Sequence, residues 1–273
     1  DIPNEPCARQ RTPLHHAVLA ADIDAVVEYL QQPATSPSQL NSLDSCGWSA
    51  LHYAATCSSP QILSLLLGHA GVRVDTPNVD GNLPLHLVIK HQMMDGRVEV
   101  VEMVMSAMQR KAAMGAQEGA SWDINAQNKF GETFLHLACV HADIEVVCLL
   151  LEKGANPNMV NEDGDTCLHY AIRAGVLRIV AVLLNKGADL RIASRTSGTP
   201  ISLANTCVYT DIANLLTNWM ERERAREGRR PTVVLPPQEH MTPPASKLIP
   251  KQPQSWISQK NLLSLMKADN ILQ

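Results

Sequence analysis

A four-residue pattern returns at near-constant intervals along this 273-residue chain, and that periodicity limits the fold more than any other feature. It reads Thr12-Pro13-Leu14-His15, Ser49-Ala50-Leu51-His52, Leu83-Pro84-Leu85-His86, Thr133-Phe134-Leu135-His136, Thr166-Cys167-Leu168-His169 and Thr199-Pro200-Ile201-Ser202. The steps between successive His slots are 37, 34, 50, 33 and 33 residues. A step near 33 means a supersecondary unit repeated in a stack, where each unit buries its apolar face only against its neighbours.

The surroundings of the pattern repeat as well. Gly47, Gly81, Gly131 and Gly164 precede four copies, each in a polar stretch such as Asn78-Val79-Asp80-Gly81-Asn82. Asp-Gly and similar pairs form tight turns, because Gly tolerates positive φ. Thr or Ser at the head of the pattern can cap a helix, and Pro next to it suits the first helical turn. Leu83 loses that cap in the third copy. After each pattern comes a second apolar helical segment, clearest at 144–151 and 177–184. These two end at Gly154-Ala155-Asn156 and Gly187-Ala188-Asp189, where Gly can close a helix in the left-handed conformation. Small Ala54, Ala138, Ala171 and Ala204 permit close packing between units.

These residues resemble the ankyrin repeat family: the T-P-L-H-x-A motif, the 33-residue period and the closing G-A-D/N all match. The resemblance covers roughly residues 10–218 in six copies. It implies an all-α fold, a solenoid of stacked helix-turn-helix units with β-turn tips and a concave face. It also implies that the repeated His is structural, bonding across to neighbouring backbone. Equivalent His one unit apart, ~10 Å by helix-packing distances, are too far apart to share a metal.

Two copies depart from the pattern. The 50-residue step adds residues to the third, around 92–95 and after 104. The stretch from Val98 to Met114 reads as one helix, with Val101, Val104, Met105 and Met108 at helical spacing. Its methionines suit either an adaptable surface or the helix's own buried side. The sixth copy has Ser202 for His and Ser197 where the turn Gly is expected, which fits a capping unit. Its second helix is expected to run on to Gly228. The repeat domain thus spans 1–228, with an insertion at about 92–122. Seven Pro lie between 231 and 253, so 229–253 is expected as an extended linker. An amphipathic helix is expected over 254–273, with Trp256, Leu262, Leu263, Leu265 and Met266 as its docking residues, on this chain or on a partner.

Net charge is −4, without the clustered basic excess that a nucleic-acid or membrane surface needs. No apolar run approaches the ~18 residues of a membrane span, and no secretory leader is expected from the opening residues. The seven Cys lie at least nine residues apart, which disfavours a zinc site and fits reduced thiols in the cytoplasm or nucleus. No nucleophile elbow, phosphate loop or H-E-x-x-H occurs, so no catalytic residue, metal or cofactor is assigned and the chain is not read as an enzyme.

The expected function, as the resemblance implies, is an interaction scaffold or regulator binding a protein or peptide in transcriptional or signalling control, through the concave face and turn tips. The alternative is a regulatory part of a larger enzyme or channel. Neither a small-molecule substrate nor direct nucleic-acid binding is expected. The tip candidates are Trp48, Asp80, Asn82, Lys129, Phe130, Glu132, Glu162, Asp163 and Asp165. Those on the inner helices are His91, His141 and Arg173. Trp48 and Phe130 stand out as exposed aromatic anchors. Asp80, Glu132, Glu162, Asp163 and Asp165 form an acidic set suited to a basic segment of the partner.

Overall fold

The computed structural model describes residues 10–32, 36–57, 59–91, 96–113 and 122–226. The expected linker, the C-terminal helix and its docking residues Trp256, Leu262, Leu263, Leu265 and Met266 lie outside the described residues. The chain divides into two units, 1–218 and 219–273. No helix among the described residues is long and apolar enough to cross a membrane.

In chain order the helices are α1 (Pro13–Leu19), α2 (Ile23–Gln31), α3 (Pro37–Leu40), α4 (Ala50–Thr56), α5 (Pro60–Gly68), α6 (Pro84–Lys90) and α7 (Arg97–Ala113). Then follow α8 (Phe134–Val140), α9 (Ile144–Glu152), α10 (Cys167–Arg173), α11 (Leu177–Asn185), α12 (Pro200–Thr206) and α13 (Thr210–Arg226). Apart from the single turn α3, they run as consecutive pairs. Each pair is a seven-residue inner helix followed by an outer one.

Local chemistry sets the ends of these helices. Thr133 Oγ1 accepts from the backbone N–H of His136, and Ser49 and Thr199 do the same at α4 and α12. Asp22 and Asp143 cap α2 and α9 through Ala25 and Val146. At the far end of α9, Gly154 adopts φ +94° and the Ala155 N–H reaches back to the Leu150 carbonyl at 3.0 Å. Gly187 and Ala188 repeat this after α11.

Packing follows from the pattern. The inner helices α1, α4, α6, α8, α10 and α12 stack in one row, and α2, α5, α7, α9 and α11 in a second. Leu14, Leu51, Leu85, Leu135 and Leu168 occupy one repeated, buried slot in the inner row. Ala54, Ala138, Ala171 and Ala204 are fully buried between inner helices, as their size allows. Branched residues fill the outer row, among them Ile62, Leu66, Val104, Val147, Leu150, Val180 and Leu183.

The insertion lengthens the outer helix. At 17 residues α7 is almost twice the nine of α5, α9 and α11. Met105 and Met108 are buried, so those methionines face the helix's own packed side. Lys111 near its end donates to the carbonyls of His69 (2.9 Å) and Val72, tying the extra turns to the preceding unit.

Candidate functional site

The site is built on hairpin tips held by buried side chains. In each, an Asx side chain accepts two backbone N–H groups. Asn78 Oδ1 takes those of Asp80 and Asn82, both at 2.9 Å. Asp44, Asn128 and Asn161 bind the residues two and four further on in the same way, at 2.8–3.0 Å. Ser194 takes the part in the last hairpin, through Thr196 and Ser197. There the positive φ falls on Gly198 rather than on the third residue, so Ser197 needs no Gly conformation. A Cβ on Gly131 would lie 2.8 Å from Asn161 Cα, so this glycine allows the next hairpin to approach.

Backbone bonds join the tips into a ladder. Val79 N–H donates to the Cys46 carbonyl (3.3 Å), Lys129 to Asp80 (2.9 Å), Glu162 to Phe130 (3.0 Å) and Arg195 to Asp163 (2.9 Å). Three residues before the tip Asx, Asn41, Asn125 and Asn158 accept the N–H groups of Arg73, Asn156 and Asp189 at 2.6–2.8 Å. Neither asparagine row was among the residues singled out above. The signal was present, since Asp44, Asn78, Asn128, Asn161 and Ser194 keep the period of the His residues.

Four of the five repeated histidines behave as the family resemblance implied. Nε2 of His15, His52, His136 and His169 bonds the carbonyls of Trp48, Asn82, Asp165 and Gly198 in the next unit, at 3.0–3.2 Å. Their Nδ1 atoms accept the N–H of the helix-capping residue at 3.0–3.1 Å. An accepting Nδ1 fixes the proton on Nε2, so each ring is held neutral. Burial pushes His52 and His86 down to about 4 and also lowers His15, His136 and His169. His86 keeps the inner bond, to Leu83 N–H, but its buried Nε2 has no partner in bonding geometry among the described residues. The Glu132 carbonyl, counterpart of the ones bonded elsewhere, acts on the ring without reaching bonding geometry.

Four of the expected tip residues turn out to be hairpin bases. Trp48, Asn82 and Asp165 each stand four residues after the tip Asx, in the slot whose carbonyl receives the His. Trp48 is 6 % exposed, its ring 5.1 Å from that of Tyr53, so it is no exposed anchor. Asn82 is buried and receives Asn128 Nδ2 on its side-chain oxygen. Asp165 is buried and paired with Arg173 at 2.6 Å. Burial alone would raise its carboxyl, but the guanidinium holds it below the ordinary carboxylate range. Glu132 shares the slot, half-buried, and accepts from the Tyr170 hydroxyl at 3.0 Å. The expected acidic set therefore shrinks to Asp80, Glu162 and Asp163.

The other candidates lie where they can be reached. Phe130 is 54 % exposed, and Asp80, Lys129, Glu162 and Asp163 are exposed beside it along the ladder, as is Arg195. On the inner helices His91 and His141 are half-buried, and burial lowers both. The exposed Lys90 and Val140 precede them. Arg173 is exposed but already committed, to Asp165, to Ser197 and to the face of Tyr170. Cys46 is disulfide-bonded, which corrects the expectation of reduced thiols throughout, while Cys57, Cys139, Cys148, Cys167 and Cys207 are thiols outside any disulfide.

A family model described as "Ankyrin repeats (3 copies)" matches residues 14–115 and 111–194. The "Nuclear factor NF-kappa-B p105 subunit" of Gallus gallus is 35% identical over 150 residues, 54% of this chain and 13% of that protein. "NF-kappa-B inhibitor alpha" of Homo sapiens is 28% identical over 145 residues, 53% of this chain and 42% of its own. The chain thus spans less than half of either relative. The crystal structure of the ankyrin repeat domain of Bcl-3, described as a unique member of the IkappaB protein family, superposes with a TM-score of 0.63 at 24% identity. It covers 77% of this chain and 87% of that one, and shows the shared fold.

Proposed function

This chain belongs to the ankyrin repeat family, a protein-interaction fold, and on that premise we propose that it regulates a protein partner by covering part of its surface. One observation carries the reading. The ladder is held by backbone groups and buried asparagines, so among the described residues the side chains of Val79, Asp80, Lys129, Phe130, Glu162, Asp163 and Arg195 make no hydrogen bond or ion pair. A row of such residues is free to meet another protein. Below it, Lys90, His91, Val140 and His141 extend the surface along the inner helices. Phe130 serves as the apolar anchor, since large aromatics dominate interface energetics. Glu162 and Asp163 engage a basic segment of the partner, mainly raising on-rate and selectivity.

The names of two relatives support the choice of an NF-kappa-B subunit as the partner class. The test is a binding measurement between the full chain and such a subunit at fixed salt. Binding is expected to weaken at least tenfold with Phe130→Ala, the loss of ~1.4 kcal/mol or more typical of a central anchor. Glu162→Lys with Asp163→Lys should lower the on-rate first. Absence of binding removes this partner class, and binding indifferent to both changes removes the tip surface.

A further inference from the structure

The exposed charges on the ladder are ordered, and the order has a symmetry. Read from one tip to the next, the row is Asp80, Lys129, Glu162 and Arg195: minus, plus, minus, plus. Rungs of 2.9, 3.0 and 2.9 Å fix the sequence of tips, and the 50-residue step leaves its own rung, from Lys129 to Asp80, like the others. None of the four enters an ion pair within the chain among the described residues. Lys129, Glu162 and Arg195 occupy the same slot, directly after Asn128, Asn161 and Ser194, while Asp80 stands one residue further from Asn78, so the central pair Lys129 and Glu162 is in register on adjacent tips.

A row of this kind is complementary to itself reversed. Turned by a two-fold axis between the Lys129 and Glu162 tips, it reads plus, minus, plus, minus. Lys129 of one copy then faces Glu162 of the other, twice over, and Asp80 faces Arg195, also twice. A two-fold interface presents the same patch from both copies, so the pattern needs no second surface. A parallel alignment sets every charge against its like. The remaining tip charge, Asp163, then faces the Phe130 tip and gains no partner. Glu132 turns inward to Tyr170 and stays outside the contact.

We propose that the tip ladder is a self-docking surface, through which two copies of this chain associate antiparallel about an axis between the Lys129 and Glu162 tips. This goes beyond the partner reading and rests on the tips alone. Because the contact is built from exposed charges, it is weak and strongly screened. Self-association also covers Phe130, so dimer and partner complex exclude one another.

Sedimentation velocity on the full chain, over a concentration series at low ionic strength, tests this. A concentration-dependent dimer is expected, dissociating as salt rises. Lys129→Glu and Glu162→Lys should each raise the dissociation constant by roughly tenfold, since each sets like charges together. The double variant carrying both restores it, because the reversed charges again face opposites. All four are surface positions, and matching melting curves establish that the variants fold. A monomer at all concentrations in low salt overturns the proposal, and so does a dimer that ignores the single reversals or is not rescued by the double one.

Discussion

The junction where α6 meets α8 and the junction where α8 meets α10 are assembled from the same parts and held differently. At the second, His136 reaches the Asp165 carbonyl at 3.2 Å, and the slot after Thr166 holds the small Cys167 beside Cys139. At the first, the matching His86 bond is missing, and the slot after Thr133 holds Phe134. Its fully buried ring lies 4.3 Å from that of His86 and stacks on Trp122 at 6.3 Å. Trp122 in turn occupies the place of Ala155 and Ala188 in the following units. One junction relies on a directional polar bond, the other on aromatic volume. A lost hydrogen bond costs ~1 kcal/mol net, and a buried aromatic contributes more than that, so the exchange is sustainable.

The sharpest way to break this contrast is to truncate the same slot on both sides. Phe134→Ala should cost about 3–5 kcal/mol in urea unfolding, whereas Cys167→Ala, which removes a single buried sulfur, should cost ~1 kcal/mol or less. Similar losses at the two positions would refute the division of labour.

Acid comes next. His52 and His86 are held near 4 in the folded chain against 6.5 when unfolded, so the unfolded state binds more protons between those values. Stability is therefore complete above about pH 6.5 and falls as pH drops towards 4. By pH 5 each of the two should have lost ~2 kcal/mol, read as a lower urea midpoint than at pH 7.5. His86→Gln should flatten that loss by about one histidine's share.

The smallest effect separates the two rings themselves. Replacing His136 by Ala breaks both its bonds and replacing His86 by Ala breaks only the inner one. The difference between the two variants should be about 1 kcal/mol, with His136→Ala the worse. Equal costs would mean that the bond to the next unit contributes nothing.

The stacked helix pairs were legible because the T-P-L-H slots, the Ala behind them and the closing Gly residues carry their chemistry in the residue type. A Gly before a polar pair announces a turn wherever it stands. The long helix α7 was legible for the same reason, through the spacing of Val101, Val104 and Met108. The site was less so. Nothing in the letters separates Asp163 at a tip from Asp165 at a hairpin base. The distinction depends on where the Asn161 side chain folds over, and a shift of two residues exchanges an open carboxylate for one locked to Arg173. Trp48 misled in the same way. Its size suggested an anchor, while its slot placed it against Tyr53, whose hydroxyl is pushed up to about 12 by burial and the bond to Asp44.

The third unit carries a lengthened helix, α7, in the outer row and leaves the spacing of the tips untouched, as the Lys129–Asp80 rung shows. Chain length and surface register are thereby uncoupled at this point. Lengthening a connection there is entropically mild, ~0.6 kcal/mol for each doubling. Further turns on α7 would thicken the outer row and leave the working edge, with its rung spacing, unaltered.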